Sequence, residues 1–196
     1  MKKLLVKFRT AKSQLDRLLQ NRDGVAGIEM AIVTPMLLLL LCGGGEAAVF
    51  LRSHFQASQM ASTVADAISR YETITASDIS SIFSVSSEVM GSSDFEDKGY
   101  VILSSVTRSS GGIPVVAWQC KGGGVASASR IGLVTKTATL PQNLVLDATD
   151  NVIVAEVFYQ YDPIFKGIAP ASMEQQLYKT AVFRPRLGNL TTAPGC

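Results

Sequence analysis

Glu29 is a carboxylate within an apolar stretch, and its chemistry calls for a partner. Residues 30 to 45 carry no charge, and the apolar run extends over residues 25 to 51 if Glu29 and Glu46 are counted within it. A carboxylate at the centre of a membrane helix costs about 2.5 to 3.5 kcal/mol on insertion scales. We therefore expect Glu29 either to pair with a cation or to lie at headgroup level, where water solvates it.

A cut of the chain after Gly24 would create such a cation. It would leave an α-amino group on Val25, four residues before Glu29 and therefore on the same face of a helix. The amine and the carboxylate would then pair, within one chain or between neighbouring chains. Gly24 and Val25 are candidates for a processing site, and Glu29 is a candidate for assembly.

The composition indicates that part of this chain lies in lipid. The 196 residues are 47% apolar and only 17% charged, with a mean hydropathy of +0.25. The apolar run is long enough to cross a bilayer core, which needs about 20 helical residues. Seven Lys and Arg lie within residues 1 to 23 and only Arg52 follows the run closely, so the cation bias predicts a cytoplasmic N-terminus.

We expect four parts in the chain: a basic leader (1–24) that is removed, a transmembrane helix (25–51), an exported helix extension (52–71) and an exported α+β domain (72–196). A cleaved secretory signal is the alternative, because Gly43, Gly45 and Ala47 offer small residues to a signal peptidase. The basic segment before the apolar run is long for that alternative.

The three cysteines lie in two different surroundings. Cys42 is within the apolar run, whereas Cys120 and Cys196 lie in the exported part, where an oxidising compartment favours a disulfide. Two free thiols remain the alternative, since a sequence gives no distance between them.

The sequence gives little support for catalysis or for ligand binding. His54 is the only histidine and has no nucleophile motif with it. The acidic residues Asp94, Glu96 and Asp97 lack the ligand pattern of a calcium loop, and the glycines 122 to 124 lack the ending of a phosphate loop. The exported part is slightly acidic, which disfavours nucleic acid as a partner. We expect no catalytic residue, metal or cofactor.

The periodicity predicts the elements that position these residues. One helix is predicted over residues 25 to 71, with Phe55, Met60, Val64 and Ile68 on its apolar side. A second is predicted over 75 to 90 with Thr75 or Ser77 as its cap, followed by a polar loop over 91 to 99. Four strands, at 100–106, 113–119, 152–161 and 178–183, indicate a small antiparallel sheet and an α+β fold.

Two further residues of the long helix are candidates for an assembly role. Pro35 cannot donate to the carbonyl of Ala31, so a kink is expected there. Glu46 is expected at the outer membrane interface, where pairing with a neighbouring chain and plain hydration are both open.

Residues 22 to 52 resemble a known family. The run from Gly24 to Pro35 (GVAGIEMAIVTP), followed by a leucine run, Glu46 and Arg52, is similar to the TadE-like pseudopilins of the tight-adherence (Flp) type IV pilus system. Met30 stands where that family usually has an aromatic residue. The length favours the TadE or TadF group.

The resemblance implies a noncatalytic minor subunit that helps to assemble or initiate the pilus. Its partners would be a prepilin peptidase, other pilin-like subunits and a membrane assembly platform. It would cross the inner membrane once, with its C-terminal domain periplasmic or extracellular. The alternatives are a membrane-anchored or secreted binding module unrelated to pili, and a periplasmic hydrolase that uses His54.

We predict that the mature chain begins at Val25, because only a cut after Gly24 removes the seven-cation leader and keeps the whole apolar helix. Intact-mass analysis of the membrane fraction checks this. Gly24→Val should block the cut. A mature chain that starts at Met1 or near Ala48 would contradict the prediction.

Overall fold

The computed structural model describes residues 24 to 196 except 125, 142, 143 and 168, and it gives the backbone but not the side chains of 92 to 94. Of the predicted leader (1–24), only Gly24 lies within the described residues. The helices are α1 (Val25–Ser69), α2 (Ala76–Ser87) and α3 (Ser92–Lys98), and the strands are β1 (Gly99–Arg108), β2 (Pro114–Gly123), β3 (Asn151–Tyr161) and β4 (Gln175–Phe183). The predicted α+β class is confirmed.

Helix α1 has two different environments along its length. Its residues from Val25 to Leu41 are all exposed, whereas its later part buries one face, made of Glu46, Ser53, Ala57, Met60, Ala61, Val64, Ala65, Ile68 and Ser69. The boundary between the two compact units of the chain falls between Gly45 and Glu46, within the predicted transmembrane part. The second unit therefore includes the C-terminal part of the long helix.

The buried face of α1 confirms three of the four apolar residues predicted for it and corrects the fourth. Met60, Val64 and Ile68 are fully buried. Phe55 is 72% exposed, because small alanines at 57, 61 and 65 form the face that packs on the sheet. Size, rather than hydrophobicity alone, determines which side of this helix can approach a sheet closely.

Helix α2 begins where its sequence predicts. Thr75 is its N-cap: its hydroxyl accepts from the backbone of Asp78, whose carboxylate in turn accepts from the backbone of Thr75. The prediction of a polar loop over 91 to 99 is wrong, because these residues form α3. Phe95 is 3% exposed and belongs to the main core, so one buried aromatic residue holds this otherwise polar turn of helix against the fold.

The sheet is antiparallel throughout, in the order β2-β1-β3-β4. One face packs against α1 and α2 through residues such as Leu103, Ile153 and Val157. The other face is covered by the connection from β2 to β3, which packs Ile131 and Leu146 against the sheet. Both faces of β3 are therefore buried, which explains its almost continuous apolar sequence.

A buried polar network holds the C-terminal segment at Leu190. Its carbonyl accepts from the Trp118 indole at 2.8 Å and from the Ser105 hydroxyl at 2.7 Å, and its N–H donates to Asn151 Oδ1 at 3.1 Å. The backbone N–H of Arg186 donates to the carbonyl of Ser69 at 2.8 Å, near the end of α1. The segment thus satisfies groups that burial would otherwise leave unpaired.

The predicted Cys120–Cys196 disulfide is present and ties the same segment to β2. The two Cα atoms are 5.5 Å apart, and 76 positions separate the two residues. Cys42 is a free cysteine.

Replacing Cys196 with serine should destabilise the second unit by up to about 4 kcal/mol, the chain-entropy value for a loop of this length. Urea unfolding followed by Trp118 fluorescence, with and without a reductant, measures it, because the indole contacts the tethered segment. Cys42→Ser is the matched control and should unfold as the wild type does. Equal stability of oxidised and reduced wild-type protein would contradict the prediction.

Candidate functional site

The first part of α1 offers an extended apolar surface. By length and composition α1 has one segment able to cross a membrane, and none of its most apolar 18-residue window is buried. Residues 25 to 45 would measure about 31 Å at 1.5 Å per residue, close to the thickness of a bilayer core. This geometry is compatible with single-pass membrane anchoring.

The candidate processing site lies where the helix begins. Gly24 is in an exposed turn, its carbonyl accepts the N–H of Ile28 at 3.2 Å, and Val25 is the first residue of α1. Glu29 is exposed one turn later, and no cation of the described residues lies within ion-pair distance of it. The described residues therefore supply no cationic partner for Glu29.

Pro35 and the glycines that follow it lie within unbroken helix. Pro35 is inside α1, and the helix also continues through Gly43, Gly44 and Gly45. A Cβ atom built at any of these three glycines would meet nothing within 4 Å. The backbone there is open to the close approach of another helix.

The carboxylate of Glu46 is buried and hydrogen-bonded by groups of its own chain. It is 1% exposed, and its carboxylate accepts from the Tyr161 hydroxyl at 2.5 Å and from the backbone N–H groups of Ile164 and Phe165 at 3.0 Å. The sequence leaves pairing with a neighbour and plain hydration as alternatives for Glu46, and the structure shows its carboxylate bonded to groups of its own chain. A role of Glu46 in assembly stays a prediction. Glu46 would exert such a role through the loop that it holds.

These hydrogen bonds favour the charged form of the carboxylate. The Tyr161 hydroxyl and the N–H of Phe165 lower the pKa of Glu46 more than burial raises it. Burial, together with the neighbouring carboxylate, raises the pKa of the Tyr161 phenol, so Tyr161 remains a neutral donor. The site is a charged carboxylate whose donors are supplied by β3 and the loop after it.

His54 lies one helical turn above Phe50, and its surroundings are apolar. The two rings meet edge to face at 4.6 Å, and the Phe50 ring also contacts Tyr161 at 5.1 Å. Burial, and secondly the charge of Lys179, lowers the pKa of His54, and its Nε2 has no hydrogen-bond partner among the described residues. The imidazole packs as a neutral ring.

Sequence reasoning missed a second buried carboxylate, Glu156 on β3. It is 0% exposed and accepts from Ser129 Oγ at 2.5 Å, from the N–H of Arg130 at 2.8 Å and from Tyr178 Oη at 2.9 Å. The Arg130 guanidinium lies 4.2 Å from the centre of the Tyr178 ring. Glu156 thereby holds the long β2–β3 connection on the sheet. A lone glutamate in an apolar strand was the signal that could have revealed it.

The weaker ligand candidates have structural explanations. Glu96 and Asp97 are exposed on α3, and the described residues contain no cluster of His, Cys, Asp and Glu suited to a metal ion. A Cβ atom at Gly123 or Gly124 would collide with the backbone of Gly99 or Glu96. The glycines at the end of β2 therefore permit close approach of backbone segments.

Comparison with protein-family models, with curated proteins and with solved structures finds no match to this chain.

Glu46→Gln should remove an acid-sensitive part of the stability of the second unit. Because folding lowers the pKa of Glu46, its contribution is complete above the pKa of the unfolded chain and is lost as the pH falls through the folded pKa. Thermal midpoints of the full chain in detergent, from about pH 7 to about pH 3, should fall less steeply for Glu46→Gln than for wild type.

The exposed carboxylate of Glu96 provides the control. Glu96→Gln should reproduce the wild-type pH profile, and Tyr161→Phe, which removes one donor, should shift the acid transition of wild type to higher pH. An unchanged profile in Glu46→Gln would show that this carboxylate does not couple folding to pH.

Proposed function

We propose that the protein is a pseudopilin-like minor subunit that helps to assemble or initiate a tight-adherence type IV pilus. The observation that carries the proposal is the division of α1. The helix presents an exposed apolar surface from Val25 to Leu41, and its later part is a core element of an α+β unit. A membrane anchor that only tethers a domain does not need to continue into that domain as the same helix. In this chain α1 does continue, from the exposed apolar surface into the core of the α+β unit.

The exposed part of α1 supports helix–helix association in lipid. Lipid chains are as apolar as leucine, so association there depends on close packing and on polar pairs rather than on hydrophobicity. Gly43, Gly44 and Gly45 leave the backbone open, and small residues continue at Ala47 and Ala48. These positions provide a surface on which a second helix packs closely.

Glu29 supplies the polar pair. Removal of residues 1 to 24 by a prepilin peptidase would expose the Val25 amine, which pairs with Glu29 of its own chain or of a neighbour. Because the carboxylate lacks a cation among the described residues, processing creates the partner and so couples maturation to assembly. This pairing is the mechanism that we propose for recruitment into a growing complex.

The exported unit contributes contacts rather than catalysis in this proposal. We place the chain in the inner membrane with a cytoplasmic N-terminus, in contact with other pilin-like subunits and with the assembly platform. In this proposal the span ends at Gly45, where the unit boundary falls, rather than at Leu51 as the sequence predicts, and residues from 46 on are outside. The neutral packing of His54 against Phe50 supports a structural part for that residue. No cofactor enters the mechanism.

Glu29→Ala should leave insertion and leader removal intact and abolish association with other pilin-like subunits. Insertion survives because the loss of a carboxylate eases placement in lipid. Association fails because the Val25 amine would be buried without its anion, which typically costs about 3 to 5 kcal/mol, a factor of hundreds or more in an equilibrium. Crosslinked complexes and pili are scored in cells at equal expression, with N-terminal sequencing alongside.

Two variants frame this experiment. Glu29→Asp keeps the charge with a shorter reach and should be intermediate, whereas Glu72→Ala removes an exposed carboxylate of the exported unit and should assemble normally. Normal assembly by correctly processed Glu29→Ala would show that the carboxylate is a solvated interface residue and would remove the proposed mechanism.

A further inference from the structure

The loop after β3 is held directly beside Glu46. The backbone N–H groups of Ile164 and Phe165 both donate to its carboxylate, and Pro163, just before them, is buried. The N–H of Ala169 donates to the carbonyl of Phe165 at 2.9 Å and closes the turn. The position of this loop is therefore fixed relative to the first residue of the exported unit.

The tip of the loop presents apolar side chains next to a cation. Ile164 is 64% exposed, Phe165 is 40% exposed, and Lys166 is exposed beside them. Surface loops are usually polar, and adjacent exposed large apolar residues mark an interaction surface more often than single ones do. We call Ile164, Phe165 and Lys166 the ledge.

Covalent continuity places the ledge at the depth of the membrane surface. If residues 25 to 45 cross the hydrocarbon core, Glu46 is the first residue beyond it. The ledge backbone lies within 3.2 Å of the Glu46 carboxylate, and a glutamate side chain reaches only about 5 Å from its backbone. The headgroup layer on each side of the core is about 5 to 8 Å thick, so the ledge lies at its depth.

We propose that the ledge docks on the phospholipid surface of the membrane that α1 crosses. The side chains of Ile164 and Phe165 enter the boundary between headgroups and acyl chains, and Lys166 binds lipid phosphates, which is the chemistry of an interfacial anchor. We choose lipid as the partner of the ledge because α1, which carries Glu46, crosses the bilayer next to the ledge in every copy of the chain. The proposal requires the membrane span and is independent of any pilus.

A tryptophan at position 165 tests the proposal in the full chain reconstituted in nanodiscs of phosphatidylcholine and phosphatidylglycerol. Native Trp118 is 2% exposed and gives a constant background, measured in wild type. The tryptophan introduced by Phe165→Trp should emit at shorter wavelength than in water. It should lose intensity in lipids brominated near the glycerol end of the acyl chains and resist quenching by aqueous iodide.

Ile113→Trp is the matched control, because Ile113 is 50% exposed at the tip of the β1–β2 hairpin. The length of β1, about 30 Å, separates that tip from the end of the sheet that contacts Glu46. The tryptophan at 113 should be quenched by iodide and should be insensitive to brominated lipid. In the Phe165→Trp background, Lys166→Gln should reduce lipid quenching more in membranes rich in phosphatidylglycerol than in pure phosphatidylcholine.

Two results would overturn the proposal. Iodide quenching at position 165 as strong as at 113, without quenching by brominated lipid, would place the ledge in water. A blue shift at 165 that disappears when the chain is diluted to one copy per nanodisc would assign the ledge to a second copy of the chain instead. Wild-type-like far-UV circular dichroism of each variant separates these outcomes from misfolding.

Discussion

Helix α1 passes through two different environments as one helix, and the change occurs at Glu46. Between Met30 and Gly45 no side chain is charged, which suits lipid, and after Glu46 only one face of the helix is buried. A charged carboxylate at the change would be costly in either environment if it were left unpaired. The hydrogen bonds from Tyr161 and the following loop reduce that cost, so the second unit begins with a buried anion that its own chain accommodates.

The same solution recurs in the rest of the second unit. Three irregular segments are each held by a buried polar side chain that bonds to their backbone. Glu46 holds the loop after β3, Glu156 holds the connection after β2, and Asn151 binds the C-terminal segment at Leu190. Buried acceptors and donors with full sets of partners specify one position for chain that has no regular structure of its own.

Elements with strong local signals could be predicted from the sequence. The capping box at Thr75, the β-branched runs of the strands and the long apolar helix each depend on neighbours in sequence. Helix α3 could not be predicted, because its polar composition indicates a loop and one contact of Phe95 with the core decides otherwise. The prediction for Phe55 is wrong because helical periodicity takes no account of side-chain size, and the small alanines allow α1 to approach the sheet more closely than Phe55 would.

The polar site was only partly predictable for a related reason. Glu46 stands out in the sequence as a carboxylate next to an apolar run, yet its donors come from residues more than 100 positions later, and no local pattern encodes a pairing at that separation. Glu156 is similar, since one donor, Ser129, lies 27 positions before it in the sequence and another, Tyr178, lies 22 positions after it. The apolar first part of α1, in contrast, needs no long-range contact to be predicted.

The most direct test of this account is a spin-label scan along α1, from residue 37 to residue 60, in a Cys42→Ser chain in nanodiscs. Collision rates with oxygen and with a water-soluble nickel chelate distinguish lipid, water and protein interior. The account predicts oxygen access on all faces as far as Gly45, followed by helical periodicity with Ala57 and Met60 shielded from both reagents and Phe55 open to water. Two results would contradict the placement of the change at Glu46. One is helical periodicity in the shielding of spin labels at residues before Gly45, and the other is oxygen access on all faces that continues beyond Leu51.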